Sequence, residues 1–156
     1  MQVIEQTAII QAPMATVIEA VHDIEGIPTW ATVHSTVEPI PGSSPGTTFN
    51  WCFEVGKLNF KGQLEVIERT DRSLITKTTG DVNSIWAINL TPISKNRTAI
   101  QVSVEYALPH AFIEPLVDIA VQQLANPEVA NENMNRFKAM VETHARMVQE
   151  EALAPR

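Results

Sequence analysis

The stretch NPEVANENMNRFKAMVETHARMVQ, residues 126–149, decides the fold because it predicts a long amphipathic helix late in the chain. Its apolar and weakly polar face recurs at helical spacing and comprises Val129, Asn133, Phe137, Met140, Val141, His144 and Val148. Charged residues take the opposite side: Glu128, Glu132, Lys138, Glu142, Arg146 and Glu150. Helical character extends back to about Phe112, and Pro127 interrupts it, with Asn126 placed to cap the second half.

Short segments of alternating apolar and polar residues precede this helix and predict β-strands. The clearest pair covers residues 47–55 and 58–66, joined by Gly56-Lys57. Phe49, Trp51 and Phe53 share one face of the first segment, and only one face of each segment is apolar. That pattern is typical of an antiparallel hairpin. Further strands are predicted at residues 3–11, 33–40, 73–79, 82–91 and 98–106.

Two short helices are predicted after the first strand. Pro13 suits the start of a helix over residues 14–22, and Asp23 is placed to cap a second one over residues 24–30. The whole pattern predicts an α+β fold, in which a curved antiparallel sheet of about seven strands wraps on a long C-terminal helix. A single helix cannot cover all of a strongly bent sheet. We therefore expect an apolar cavity between them, touched by Trp51, Phe60, Trp86, Tyr106 and Phe137.

Composition restricts the class of protein. The 156 residues fit one domain over residues 1–156, and 44% apolar with 19% charged residues is ordinary for a globular chain. A net charge of -7 with scattered Lys and Arg argues against a nucleic-acid partner. No apolar run approaches the roughly 20 residues of a membrane span. The single cysteine, Cys52, and an N-terminus unlike a secretory signal predict a cytoplasmic location.

The order of predicted elements is that of the helix-grip fold. Ile10-Gln11-Ala12-Pro13, then Val17, Asp23 and Pro28-Thr29-Trp30, resembles the opening of the polyketide cyclase/START-like (SRPBCC) superfamily, also called Bet v 1-like. The segment Met134-Asn135-Arg136-Phe137-Lys138 with Glu142 resembles its closing helix. The resemblance spans the whole chain. It implies binding or carriage of lipids, sterols, quinones or polyketide intermediates, and catalysis in a minority of members.

Candidate ligand contacts are the residues predicted to face the cavity, because ligand sites combine an apolar lining with a few polar groups. They are Phe49, Trp51, Phe53, Phe60, Trp86, Tyr106, Asn133, Phe137, Met140 and His144. Tyr106 and the two tryptophans would need hydrogen-bond partners when buried, which would give a ligand polar anchors.

Candidates for general acid or base chemistry are few: Tyr106, His110 and His144. Gly42-Ser43-Ser44-Pro45-Gly46 matches the serine hydrolase elbow, but Pro45 lacks the N–H that the oxyanion needs, so hydrolysis is rejected. The scattered histidines and single cysteine give no metal signature, and no metal or cofactor is expected.

Three functions remain open. The first is binding or carrying a small hydrophobic ligand, favoured because the inward strand positions hold no charged residue, save ambiguous ones near Glu68. The second is an aromatase/cyclase-like enzyme acting on a polyketide-type substrate. The third is a protein-interaction module that docks a partner through its surface; no binding stripe is marked in the sequence, and the apolar residues 112–124 are the one candidate for it. A homodimer is left open.

Overall fold

The structure is a computed structural model that describes residues 2–42, 44, 46–55, 58–107 and 126–153. Its helices are α1 (Met14–His22), α2 (Ile27–Trp30) and α3 (Pro127–Leu153), with a 3-10 turn at Ile24–Gly26. The strands are β1 (Gln2–Ile10), β2 (His34–Pro39), β3 (Thr48–Val55), β4 (Leu58–Arg69), β5 (Ser73–Gly80), β6 (Asn83–Ser94) and β7 (Arg97–Ala107). The helix predicted over residues 112–125 and the candidate His110 lie outside the described residues.

All strands join one antiparallel sheet in the order β1-β7-β6-β5-β4-β3-β2. Each strand therefore pairs with its sequence neighbour, except that β1 lies beside β7. The register aligns Phe53 with Phe60 on β3 and β4, and Trp86 with Val104 on β6 and β7. Directly opposed residues point to the same face of a sheet, so the inward aromatic residues of several strands form one continuous surface.

Gly62 on β4 lies opposite Gly80 on β5. A Cβ on Gly62 would lie 1.9 Å from the Thr79 carbonyl oxygen and 2.7 Å from the Trp51 ring. Gly80 has φ +116, a conformation that favours glycine. The two glycines let the backbones approach closely and leave room for the Trp51 ring against β4.

A β-bulge interrupts the pairing of β4 with β5 between Val66 and Glu68. The extra residue, Ile67, is 54% exposed, and Glu68 is exposed as well. The ambiguity that the sequence left at Glu68 is thereby resolved: this carboxylate does not belong to the inward face.

The short helices after β1 form as the sequence predicts. α1 buries Val17 and Val21. The Asp23 side chain accepts a hydrogen bond from the Gly26 backbone N–H at 3.2 Å, so Asp23 caps the turn that leads into α2. Two elements replace the one predicted helix, because the Ile24–Gly26 turn precedes α2.

Helix α3 is capped by Asn126, whose side-chain oxygen accepts from the Glu128 N–H at 2.9 Å. The helix packs mainly against β1, α1 and α2. Two side chains tie it to backbone N–H groups elsewhere: Glu142 accepts from Gln11 at 2.7 Å, and Asn133 accepts from Thr32 at 2.8 Å. Glu142 thus turns toward the body of the protein, which corrects its predicted place on the solvent face.

The buried stripe of α3 consists of Phe137, Val141 and Ala145. His144 is exposed, although the sequence predicts it on the apolar face. Residues four apart lie on the same face of a helix, so the buried stripe continues from Phe137 and Val141 to Ala145. His144 lies beside this stripe. The predicted fold class is otherwise confirmed: a curved antiparallel sheet, a long C-terminal helix and two short early helices.

Candidate functional site: a cavity between the sheet and helix α3

The cavity results from the way the helices meet the sheet. α3 packs against β1 at one edge, and α2 packs against β2 at the other. The inward face of the strands between them is left with space in front of it. This space has a volume of about 250 Å³, and it is the cavity that the bent sheet was expected to leave.

The sheet supplies most of the wall. Trp51 and Phe53 come from β3, Thr76 and Thr78 from β5, and Tyr106 from β7. Apolar residues predominate, and those that the strands contribute include Ile4, Val37, Leu64, Leu74, Ile88, Ile100, Val102 and Val104. An apolar wall with few polar groups is typical of a site for small organic ligands.

The helices close the opposite side. Ala130, Asn133, Met134 and Phe137 line the cavity from α3. The Trp30 ring at the end of α2 meets the Phe137 ring edge to face, with ring centroids 5.5 Å apart. This contact joins α2 to α3 directly over the cavity.

Trp51 is held in place by the protein itself. Its indole N–H donates to the Gln63 carbonyl at 3.0 Å, and its ring stacks on Phe53 at 5.3 Å. The ring also lies against Gly62, which leaves it no freedom to turn toward that strand. The N–H that the sequence offered as a ligand anchor is therefore already used.

Trp86 belongs to a chain of side-chain hydrogen bonds on β5 and β6. Its indole N–H donates to the Ser84 hydroxyl at 3.2 Å, and Ser84 also bonds to the Thr78 hydroxyl. The Thr78 hydroxyl in turn donates to the Val82 carbonyl at 3.3 Å. When Trp86 donates to Ser84, Ser84 to Thr78 and Thr78 to the Val82 carbonyl, each of these three donors has an acceptor.

Tyr106 differs from Trp51 and Trp86 in its hydrogen bonding. It is only 7% exposed, and its ring packs edge to face with Trp86, the centroids 6.3 Å apart. In the described part of the chain, no residue forms a hydrogen bond with its hydroxyl. Burial raises the pKa of the phenol above its ordinary value of 10.0, because the ionised form would lose its solvation. Tyr106 is therefore a neutral hydrogen-bond donor in the cavity wall.

Charge is nearly absent from the wall. Among the described lining residues the only ionisable side chains besides Tyr106 and Cys52 belong to Asp23. Asp23 is exposed at the edge of the cavity, and its carboxylate caps Gly26. The described lining residues therefore offer neither a cation to pair with an anionic ligand nor a free carboxylate.

Six of the predicted ligand contacts line this cavity: Trp51, Phe53, Trp86, Tyr106, Asn133 and Phe137. Four others do not line it. Phe49 and Phe60 are buried in the core beside it, Met140 is half-buried on α3, and His144 is exposed. Of the proposed acids and bases, only Tyr106 faces the cavity, while His110 lies outside the described residues.

The hydroxyl-bearing residues of the wall were not predicted. Thr76, Thr78 and Ser84 lie on the same face as Trp86, as their register shows. The alternation of β5 and β6 contained this signal, because Thr76 and Thr78 continue the inward series from Leu74. The apolar residues of these strands alone do not reveal it.

In the part of the chain that the structure describes, no three His, Cys, Asp or Glu side chains gather to hold a metal ion. No described helix is both long and apolar enough to cross a membrane.

Comparisons place the chain among known proteins. The family model described as polyketide cyclase/dehydrase and lipid transport matches residues 1–142. No curated protein matches the chain.

Solved structures share the fold at low sequence identity. A START superfamily protein from Mycobacterium smegmatis has 14% identity and a TM-score of 0.65, over 95% of this chain and 99% of that one. The Zhui aromatase/cyclase from Streptomyces sp. R1128 has 11% identity and a TM-score of 0.68, over 90% and 93%. A Deinococcus radiodurans protein has 14% identity and a TM-score of 0.69, over 92% and 99%. The family match over residues 1–142, together with this shared fold, confirms the predicted superfamily.

Proposed function

We propose, given that this chain belongs to the polyketide cyclase/dehydrase and lipid transport family, that it binds a small hydrophobic ligand in the cavity between the sheet and α3. The observation that carries the proposal is an apolar wall around about 250 Å³ of space, with aromatic residues on two sides. An engineered apolar cavity of about 150 Å³ holds benzene. By that measure this cavity suits a molecule of more than one ring, or a short flexible chain.

The enzymatic alternative is a cyclase-like reaction on a polyketide-type substrate. An aldol or dehydration step needs a group that accepts a proton from the substrate. Among the described lining residues, Asp23 is the only carboxylate, and it is exposed and engaged in a cap. Tyr106 is held protonated by burial, which suits a donor and not a base. These features support carriage over catalysis.

Binding can be tested with N-phenyl-1-naphthylamine, an uncharged dye whose fluorescence rises in apolar surroundings. Ala130 lines the cavity from α3, and Ala139 is exposed on the same helix. We expect the wild-type protein to bind the dye and Ala130→Phe to weaken binding at least about tenfold, because the new ring fills the site. Ala139→Phe is the matched control and should bind like wild type. Equal binding by all three proteins would place the dye outside the cavity and refute the proposal.

The cellular location and the oligomeric state are argued from the sequence alone. A cytoplasmic protein accords with its single cysteine. The choice between monomer and homodimer is open, and light scattering of the purified protein gives the mass in solution that decides it.

A further inference from the structure

We infer that the cavity selects uncharged ligands that carry a hydrogen-bond acceptor, such as a ketone carbonyl, and that the Tyr106 hydroxyl is the group that recognises this acceptor. The inference rests on the proposed function and specifies its ligand class. Three features of the wall support it. Several indole and hydroxyl donors are already hydrogen-bonded within the protein, the Tyr106 hydroxyl is not, and no described lining residue carries a positive charge that could pair with an anionic ligand.

Several polar groups of the wall are satisfied within the protein. Trp51 donates to the Gln63 carbonyl at 3.0 Å, and Trp86 donates to Ser84 at 3.2 Å. Ser84 and Thr78 complete a chain that ends on the Val82 carbonyl. A ligand that bonded to any of these donors would first have to break a bond inside the protein, with little net gain.

Two further hydroxyls are withdrawn from the cavity space. The oxygen atoms of Thr32 and Ser35 are buried without a hydrogen-bond partner, although both residues contribute to the wall. Because these oxygens are covered, neither presents a donor to a ligand in this conformation. Asn133 uses its side-chain oxygen to accept from the Thr32 N–H at 2.8 Å.

On the sheet, the hydroxyls of Tyr106 and Thr76 line the cavity and form no hydrogen bond with a described residue. The backbone of Tyr106 is paired with Ser84, and its ring is fixed against Trp86 with centroids 6.3 Å apart. Thr76, two positions before Thr78 on the same strand, is a second hydroxyl in the wall. Since the Tyr106 hydroxyl faces the cavity as a donor without a partner among the described residues, a ligand oxygen that accepts its hydrogen bond is favoured over a hydrocarbon of the same shape.

The surroundings disfavour a charged ligand. The described wall contains no Lys, Arg or His. A carboxylate bound beside Tyr106 would keep one hydrogen bond and lose the rest of its hydration without a paired cation. A neutral carbonyl makes the same hydrogen bond without that loss.

Three naphthalenes of similar size separate these effects at pH 7.5: 1-acetylnaphthalene has a ketone, 1-ethylnaphthalene has no acceptor, and 1-naphthoate is an anion. Dissociation constants can be measured by quenching of tryptophan fluorescence, since Trp30, Trp51 and Trp86 line the cavity. For the wild-type protein we expect the ketone to bind about 2- to 12-fold more tightly than the hydrocarbon. The naphthoate should bind at least about tenfold more weakly than the ketone.

Tyr106→Phe tests the recognising group. We expect the ratio between ketone and hydrocarbon affinity to fall to about one, a change that a merely structural role would not produce. Thr48→Val is the control, because its hydroxyl is also buried without a partner but lies outside the cavity wall, and it should keep the wild-type ratio.

The results separate a failure of this inference from a failure of the proposed function. A wild-type protein that binds all three compounds equally, or a Phe variant that keeps the ketone preference, overturns the inference and leaves the proposed function standing. A wild-type protein that binds none of the three contradicts the proposed function itself.

Discussion

At the scale of single residues, Phe137 tests whether the space beside α3 is a cavity or a packed core. It is 6% exposed and lines the cavity, whereas Phe49 is 2% exposed and does not line it. Removing a ring from packed surroundings costs about 3–5 kcal/mol, and we expect this for Phe49→Ala. Phe137 lacks contacts on its cavity side, so Phe137→Ala should cost distinctly less than about 3 kcal/mol.

Urea unfolding of both variants gives the two costs. Equal losses of stability would assign Phe137 to the packed core and remove it from the ligand site.

Tyr106 is the only tyrosine, so phenolate absorbance near 295 nm reports this residue alone. Burial raises its pKa in the folded protein, while the unfolded chain ionises near the ordinary value of 10.0. Above about pH 10 the unfolded state therefore binds fewer protons than the folded state. The stability contributed by the neutral phenol, complete below pH 10, is then lost as the pH rises, by up to about 1.4 kcal/mol per pH unit.

Tyr106→Phe lacks this loss, so the difference in unfolding free energy between the two proteins should change between about pH 9 and pH 11. Phenolate absorbance that rises near pH 10 while the protein is still folded would contradict the buried environment of Tyr106.

At the scale of elements, the docking of α3 depends on side chains that reach backbone groups. Glu142 accepts from the Gln11 N–H at 2.7 Å, and its side chain is 16% exposed. Glu132 pairs with Arg136 at 3.1 Å on the surface, where both side chains are at least half exposed. We expect Glu142→Ala to lower stability by about 1–2 kcal/mol. The matched change Glu132→Ala should cost about 0–1 kcal/mol.

Thermal or urea unfolding measures both changes. If Glu132→Ala proved as costly as Glu142→Ala, the contact with Gln11 would contribute nothing special to the docking of the helix.

The elements themselves could be predicted from the sequence, because alternation of period two and helical spacing survive in a single chain. The strand beginning at Thr48 and the helix beginning at Met14 are found within a residue of their predicted starts. His144 could not be placed, because its exposure depends on which side of α3 meets the sheet. Neighbouring residues of a helix lie about 100° apart around its axis, so the rotation of α3 decides whether His144 or Ala145 is covered, and only tertiary packing sets that rotation.

At the scale of the whole molecule, the cavity followed from the sequence because a single helix cannot fill a strongly bent sheet. The hydrogen bonds among the polar groups of its wall could not be predicted from the sequence. The acceptors for Trp51 and Trp86 are the Gln63 carbonyl and the Ser84 hydroxyl, and neither can be identified until strand registers and rotamers are known. The sequence therefore offered three polar anchors for a ligand where the structure leaves Tyr106.

The most direct measurement is a crystal structure of the protein with N-phenyl-1-naphthylamine. Under the proposed function, the space between the sheet and α3 is a binding site for a small uncharged hydrophobic molecule. We predict that the dye occupies this space and contacts Trp86 and Phe137, which lie on opposite walls. A structure in which the walls meet without a gap, and the dye binds only on the outer surface, would contradict the claim.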